Sequence, residues 1–280
     1  MPMIRTSQGP IAYERCGDGP PVVLLHGNAH DRHDYDAVLP VLAREFTVFA
    51  VDWPGCGESP APPAPRESTA SGLAALLPEI VERLGAAPAT LIGNSVGGFS
   101  AARLALTHPA LVRALVLVDS GGFTAHNPVS RLFCRVKGTE VISRLVAERF
   151  PRFYLRRRTP TVEAMLARSR AHGRNPIGIA IDAAIWRSFT APEHDLRSRA
   201  SAIRVPTMLV WGKHDPVLPV RDAEAARRAL PQAPFVVLDT GHVPFAEDPD
   251  GFLAAVLPFL REAAAQDAGA MRMATEREVS

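Results

Sequence analysis

The sequence predicts an α/β fold in which a mostly parallel sheet is covered by helices on both faces. Short runs dominated by valine and leucine alternate with amphipathic segments along the 280 residues. Strands without polar alternation are typical of a sheet that is buried on both faces. Most of these runs end in glycine or polar residues, as expected where parallel strands meet a common edge.

Six runs have the length and composition of buried strands. They lie at residues 22–25, 47–51, 89–92, 115–118, 207–210 and 235–238. Helical periodicity is found at residues 35–46, 73–84, 99–107, 220–230 and 251–263. Strands that alternate with helices in this way imply a parallel sheet with helices on both sides.

The alternation is interrupted once, between residues 123 and 200. No clear strand is present there, and prolines separate the helical stretches. We therefore predict a helical insertion at residues 123–200 within a core formed by residues 1–122 and 201–263. The small and polar residues 264–280 are expected to form a disordered tail.

The charge of the chain is uneven. The net charge of +2 for the whole chain argues neither for nor against binding to nucleic acid, and no nucleic-acid partner is expected. The helical insertion, in contrast, holds 15 Arg or Lys and 6 Asp or Glu, a net charge of +9. Two interpretations of this basic stretch stay open. It forms a solvated surface, or its charge attracts acidic substrates or an anionic surface. A small-molecule substrate is the expected partner, and the oligomeric state stays open.

Cysteine usage and terminal patterns indicate a cytoplasmic protein. Cys16, Cys56 and Cys134 are far apart and form neither a disulfide framework nor a metal-ligand spacing. The N-terminus does not have the basic end and apolar core of a signal peptide. No run approaches the roughly 20 apolar residues of a membrane span, so stable membrane insertion is not expected.

A small-x-Ser-x-small pattern follows the strand at residues 89–92. It reads Gly93-Asn94-Ser95-Val96-Gly97, and a helical stretch follows directly. A serine at the tip of a sharp strand-to-helix turn has a strained backbone, and side chains on its neighbours would collide, so flanking glycines fit this geometry. Ser95 is the candidate nucleophile, exposed above a helix N-terminus.

A nucleophilic serine needs a base, and the base needs an orienting carboxylate. Asp215 follows the strand at 207–210, and His242 follows the strand at 235–238. The predicted triad is therefore Ser95, Asp215 and His242. Asp119 also follows a strand, which leaves it open as an alternative acid.

Five separated motifs together resemble the α/β-hydrolase superfamily over residues 4–260. They are the serine turn, the acid after the strand before last, His26-Gly27-Asn28, the D-x-P-G-x-G-x-S turn at residues 52–59, and Gly241-His242 with Glu247-Asp248-Pro249. The chain is similar to small members with a helical cap, which implies that the helical insertion lies over the site.

The resemblance also implies the roles of individual residues. Ser95 is the nucleophile, Asp215 the acid and His242 the base, and the backbone N–H groups of Asn28 and Val96 form the oxyanion hole. Candidate pocket residues, by position, are Phe123, Trp186 and Phe245. This chemistry needs no metal ion or organic cofactor.

The leading hypothesis is a serine hydrolase that cleaves a carboxylic ester or lactone of a small, largely apolar molecule. Superfamily members that open epoxides or displace halide need a carboxylate nucleophile, whereas this turn carries Ser95. The turn also resembles that of carbon–carbon bond hydrolases of ring-fission products, whose acidic substrates would suit the basic insertion. A receptor-like protein that binds a ligand in the same pocket is the third hypothesis.

Overall fold

The computed structural model describes the backbone of residues 1–278 and the side chains through residue 266. Its strands are β1 (Met3–Thr6), β2 (Gly9–Cys16), β3 (Pro21–Leu25), β4 (Thr47–Val51), β5 (Ala89–Asn94), β6 (Val112–Val118), β7 (Thr207–Gly212) and β8 (Phe235–Leu238). Across this part of the chain they form one sheet, in the order β1-β2-β4-β3-β5-β6-β7-β8. The β1–β2 and β2–β4 pairs are antiparallel, and all the other pairs are parallel. The predicted, mostly parallel sheet is confirmed.

The helices cover both faces of this sheet. They are α1 (Leu39–Leu42), α2 (Ala70–Arg83), α3 (Val96–Thr107), α4 (Pro128–Lys137), α5 (Glu140–Val146), α6 (Phe150–Tyr154), α7 (Pro160–Arg174), α8 (Pro176–Ser188), α9 (Val220–Ala229), α10 (Pro244–Glu247) and α11 (Pro249–Glu278). None of the described helices has the length and apolar content needed to cross a bilayer.

Alternate residues of the parallel strands pack into two apolar layers. On β3, Val23 and Leu25 pack in the layer that contains α2 and α3, whereas Val22 and Leu24 pack in the layer that contains α11. Successive side chains of a strand point to opposite faces, so a strand covered on both faces needs an unbroken apolar run. This explains why the strand signal in the sequence is a run and not an alternation.

The helical insertion enters between β6 and β7 as α4 to α8. Its first helix begins at a capping box, in which the Asn127 side chain accepts from the Ser130 N–H and the Ser130 hydroxyl accepts from the Asn127 N–H. The insertion is attached to the core through α8, because Ile181 and Ile185 join the same apolar layer as α2 and α3. This attachment holds the insertion beside the carboxyl edge of the sheet.

Three parts of the fold differ from the sequence prediction. The β1–β2 hairpin was not predicted, because edge strands with mixed burial carry no unbroken apolar run. The helix predicted at 35–46 is reduced to the single turn α1, which has Pro40 at its start. The expected disordered tail at 264–280 is instead helical through Glu278, since its alanine, arginine, glutamate and methionine residues are strong helix formers; the last two residues of that tail lie outside the described part.

Gly97→Ala tests the close approach of α3 to β3. A Cβ at Gly97 would lie 2.3 Å from the carbonyl oxygen of Leu25, a backbone atom that cannot rotate away. We expect the free energy of unfolding to fall by about 1–3 kcal/mol, the usual cost of overpacking. Urea denaturation followed by circular dichroism measures this change.

Gly72→Ala is the matched control for that experiment. Gly72 is exposed on α2, and its nearest potential contact is the Thr69 hydroxyl at 3.1 Å. A surface change of this kind is expected to alter stability by no more than about 0.5–1 kcal/mol, with helix propensity in its favour. An equal loss in both variants would contradict the close-approach argument.

Candidate active site

Ser95 lies at a strained turn between β5 and α3. Its backbone has φ 54° and ψ −115°, a left-handed conformation that is uncommon for a residue with a side chain. The turn is also crowded, since a Cβ at Gly93 would lie 2.5 Å from the backbone carbon of Gly97. The two glycines are therefore required by close packing, as the sequence argument predicted.

His242 and Asp215 form a buried pair at the ends of β8 and β7. The distance from His242 Nδ1 to Asp215 Oδ2 is 2.6 Å, and both side chains are almost fully buried. The other carboxylate oxygen, Oδ1, accepts hydrogen bonds from the backbone N–H groups of Val217 at 2.7 Å and Leu218 at 3.1 Å. Asp215 is thus held in position from both sides, by two backbone N–H groups on one oxygen and by the histidine ring on the other.

Asp119, the alternative acid, lies beside this pair but is bonded elsewhere. Its Oδ1 accepts the N–H of Gly212 at 2.9 Å, and its Oδ2 has no hydrogen-bond partner among the described residues. Burial and, secondly, the neighbouring Asp215 raise the pKa of Asp119 well above its ordinary value. Asp119 therefore holds its proton more tightly than an ordinary aspartate does, and Asp215 is the acid that contacts the histidine.

The Asp119, Asp215 and His242 side chains are close enough to share a metal ion, with one donor atom of each within 4.8 Å of the others. Both oxygens of Asp215 already accept hydrogen bonds, and its Oδ2 is bonded to the histidine nitrogen. The hydrogen bonds therefore fit an acid that orients a base better than they fit a metal centre.

The loop after β3 is held in place by a buried histidine and tryptophan. His26 Nε2 accepts the backbone N–H of Trp53 at 3.0 Å, and the Trp53 indole donates to the His26 carbonyl at 3.0 Å. Burial lowers the pKa of His26, which keeps the ring neutral and able to accept. This reciprocal pair orients the loop that carries Asn28.

Two backbone N–H groups are available next to Ser95. Val96 is the first residue of α3, and Asn28 lies on the neighbouring loop. Within residues 1–278, neither N–H takes part in the backbone hydrogen bonds of turns and caps. Free N–H groups at a helix N-terminus favour negative charge.

A buried ion pair connects the Asn28 loop to the helical insertion. The Asn28 side-chain amide donates to Asp182 Oδ1 at 2.9 Å, and Asp182 Oδ2 accepts from Lys137 Nζ at 2.6 Å. Lys137 also donates to the Ser143 hydroxyl at 3.1 Å and lies over the rings of Phe150 and Trp186. Helices α4, α5 and α8 therefore meet at one charged contact that reaches the core.

Two cavities meet at Ser95. The inner cavity, of about 60 Å³, is lined by polar groups that include Asn28, Lys137, His172, Asp182 and His242. The outer cavity, of about 410 Å³, is lined on the insertion side by Val129, Phe133, Phe153 and Phe189, and elsewhere by polar residues that include Thr124, His126 and Asp222. Trp186 lines both cavities, so its ring contributes to the wall between them.

Of the three pocket residues expected from the sequence, one lines the cavities at Ser95. Trp186 lines the site, but Phe123 and Phe245 are fully buried and line neither cavity that contains Ser95. Phe123 packs in the layer with α2 and α3, and Phe245 stacks on Tyr35 in the opposite layer. Position along the chain placed them near the strand ends but could not show which way the rings point.

Sequence reasoning missed Lys137 and Asp182. A signal was present in each case. Asp182 is the one acidic residue in the apolar stretch from Ile177 to Trp186, and Lys137 is one of only two lysines in an arginine-rich chain. A lone charge within an apolar helical stretch predicts a buried partner, because an unpaired buried charge is too costly.

Comparison with known proteins identifies the family of the chain. Residues 20–249 match the family described as alpha/beta hydrolase fold. An uncharacterized protein of Mycobacterium tuberculosis (strain ATCC 25618 / H37Rv) is 31% identical, with 95% of this chain and 83% of the relative covered. The chain belongs to the alpha/beta hydrolase fold family.

Two similar proteins are named as esterases. The pimeloyl-[acyl-carrier protein] methyl ester esterase of Aeromonas hydrophila subsp. hydrophila is 28% identical, with 89% of this chain and 99% of the relative covered. The solved structure of a thermophilic esterase from Thermogutta terrifontis has a TM-score of 0.81 and 27% identity, with coverage of 94% of this chain and 98% of that one. The chain is therefore a hydrolase of the alpha/beta hydrolase fold family, and it is similar to esterases.

The two neighbouring acids should respond differently to the same substitution. Asp215→Asn removes the charge that orients His242, and we expect kcat on an ester to fall by about 10⁴-fold. Asp119→Asn leaves the contact between Asp215 and His242 in place, and an amide oxygen can still accept from Gly212, so we expect kcat within about threefold of wild type. Steady-state kinetics at neutral pH compares them. A larger loss from Asp119→Asn would show that Asp119 is the acid.

The pH dependence of stability provides the control for Asp119. A raised folded-state pKa means that the contribution of Asp119 to stability is complete only below the ordinary aspartate pKa and is lost as pH rises from there through the folded-state pKa. Wild-type stability should therefore lose this contribution over that pH window, and Asp119→Asn should make the decline there shallower. Urea midpoints across the pH range measure both. An unchanged slope in Asp119→Asn would contradict a raised pKa of Asp119.

Removing one partner of the buried Lys137–Asp182 pair should lower the free energy of unfolding more than removing both partners. Lys137→Met leaves Asp182 buried without its cation, and we expect a loss of about 3–5 kcal/mol in the free energy of unfolding. The double variant Lys137→Met/Asp182→Asn should recover most of this loss. As a control, Arg66→Met breaks the exposed pair with Glu140 and should cost about 1 kcal/mol or less. Equal costs for the buried and exposed pairs would refute this account.

Proposed function

We propose that this alpha/beta hydrolase cleaves a carboxylic ester or lactone of a small, largely apolar molecule through an acyl-enzyme on Ser95. The observation that carries the proposal is the convergence of Ser95 and the hydrogen-bonded His242–Asp215 pair on one cavity. Three separate strand ends supply these groups, and a strained turn exposes the serine. A nucleophile, a base and an orienting acid in this arrangement are what acyl transfer requires.

In the proposed reaction, Ser95, His242 and Asp215 have separate roles in bond formation, proton transfer and charge stabilisation. Ser95 Oγ attacks the carbonyl carbon while His242 takes its proton at Nε2, since Nδ1 is engaged by Asp215. Asp215 stabilises the imidazolium that forms. The N–H groups of Asn28 and Val96 receive the negative oxygen of the tetrahedral intermediate, where one such donor is worth roughly 3 kcal/mol. His242 then protonates the leaving alcohol, and water releases the acid in the reverse sequence.

The two cavities support an ester with an apolar part on one side of the scissile bond. The outer cavity offers aromatic and aliphatic walls to that part, and the inner cavity offers a smaller space beside Asn28. The helical insertion contributes Phe133, Phe150 and Trp186 to these walls. We therefore propose that the insertion acts as a cap that sets substrate choice and limits water access.

Active-site labelling tests the proposal directly. A fluorophosphonate probe should label wild type at Ser95, and Ser95→Ala should abolish labelling. Ser95→Ala and His242→Ala should each lower kcat on p-nitrophenyl esters by about five to six orders of magnitude, because the triad acts as a unit. Mass spectrometry locates the label, and thermal melting verifies that the variants fold.

A substrate panel separates the proposed activity from its alternatives. p-Nitrophenyl esters, lactones and a ring-fission dienoate are compared with the same enzyme and with Ser95→Ala. Preference for the dienoate would identify a carbon–carbon bond hydrolase. Folded wild type that neither labels nor turns over any member of the panel would refute the enzyme hypothesis in favour of a ligand-binding protein.

A further inference from the structure

Helix α4 of the insertion has its apolar stripe on the outside. Val129, Leu132, Phe133 and Val136 follow the i, i+3, i+4, i+7 spacing that normally marks the core-facing side of a helix. In the structure their exposed fractions are 75, 60, 49 and 44%. The helix instead buries Cys134 and Lys137. The stripe is therefore available to something outside this chain.

This stripe is continuous with the mouth of the outer cavity. Val129 and Phe133 line that cavity together with Phe153 of α6, which is itself 59% exposed. We call the set Val129, Leu132, Phe133, Val136 and Phe153 the apolar patch. Because the same cavity reaches Ser95, an apolar chain seated at the patch has a route to the serine.

Arginines without acidic partners lie between the start of α4 and the end of α6, in the same part of the chain as the apolar patch. They are Arg131, Arg135, Arg144, Arg149 and Arg152, all exposed, and among the described residues none has a carboxylate oxygen within 4.0 Å. The acidic residues between α4 and α6 are Glu140 and Glu148, and each is already paired with an arginine. The surface is apolar and cationic at once.

We propose that the apolar patch and its arginines dock this protein on a lipid surface with anionic headgroups. An amphipathic helix with leucine and phenylalanine on one side and arginine on another is the element that lies in the plane of a membrane interface. Anionic headgroups supply the counter-charges that the five arginines lack. A lipid layer also accepts exposed apolar side chains without a complementary groove, and it adjoins the cavity mouth directly.

Vesicle binding without substrate tests this proposal, so the result does not depend on the proposed reaction. Wild type should co-sediment with vesicles of equal parts phosphatidylglycerol and phosphatidylcholine at low salt. It should bind pure phosphatidylcholine vesicles at least tenfold more weakly. Salt of about 0.5 M, which shortens the Debye length to a few ångströms, should reduce the difference.

Two paired substitutions locate the surface. Leu132→Asp/Val136→Asp changes patch residues outside the cavities, and we expect at least tenfold weaker vesicle binding with turnover of a soluble ester unchanged. Met3→Asp/Val237→Asp introduces the same charge at exposed apolar positions elsewhere and should bind as wild type.

Arg131→Gln/Arg135→Gln should weaken binding to anionic vesicles, whereas Arg227→Gln/Arg228→Gln on α9 should not.

Other occupants of the patch give distinct results, each of which overturns the proposal. Failure of wild type to bind anionic vesicles, or equal binding by Leu132→Asp/Val136→Asp, removes the lipid surface. Tighter binding to poly-glutamate than to the vesicles, lost in the same variant, assigns the patch to an acidic protein. A wild-type dimer in sedimentation equilibrium that this variant disrupts, without vesicle binding, assigns it to a second copy of the chain.

Discussion

The packing of Gly97 against the carbonyl of Leu25 is the constraint on which the site depends. A side chain at residue 97 has no room there, so the start of α3 lies directly on the end of β3. This contact brings the Val96 N–H next to the loop that carries Asn28, and it forces the sharp turn that gives Ser95 its positive φ. The strain at Ser95 is small compared with the apolar burial of the surrounding strands, which hold the turn closed.

At the carboxyl edge of the sheet, two neighbouring carboxyl groups differ in their hydrogen bonds. Asp119 and Asp215 both follow buried strands, yet only Asp215 has backbone donors on one oxygen and a histidine on the other. Asp119 receives one backbone N–H, and burial together with the neighbouring Asp215 raises its pKa. Two acids within a few ångströms cannot both ionise cheaply in a buried site, and their hydrogen bonds determine which one does.

The helical insertion combines two opposite kinds of surface. Towards the core it presents the Lys137–Asp182 pair, which reaches the Asn28 side chain and so connects the insertion to the loop after β3 by charge and hydrogen bonds. Away from the core it presents the apolar patch and arginines without acidic partners. With charge inside and apolar groups outside, α4 has the reverse of the usual amphipathic arrangement.

The sequence by itself determined the six parallel strands of the sheet, the serine turn and the chain order of Ser95, Asp215 and His242, because unbroken apolar runs and glycine-flanked turns are local signals. It left Asp119 open and placed Phe123 and Phe245 in the pocket, since the direction of a side chain depends on what packs against it. The prediction of a disordered tail at 264–280 gave more weight to the polarity of that segment than to its helix propensity. Only the tertiary structure decided which acid meets His242, that Asp182 and Lys137 pair across α8 and α4, and that the stripe on α4 faces outward. Each of these depends on contacts between residues far apart in the chain, and periodicity along one helix cannot show which side of that helix the rest of the protein covers.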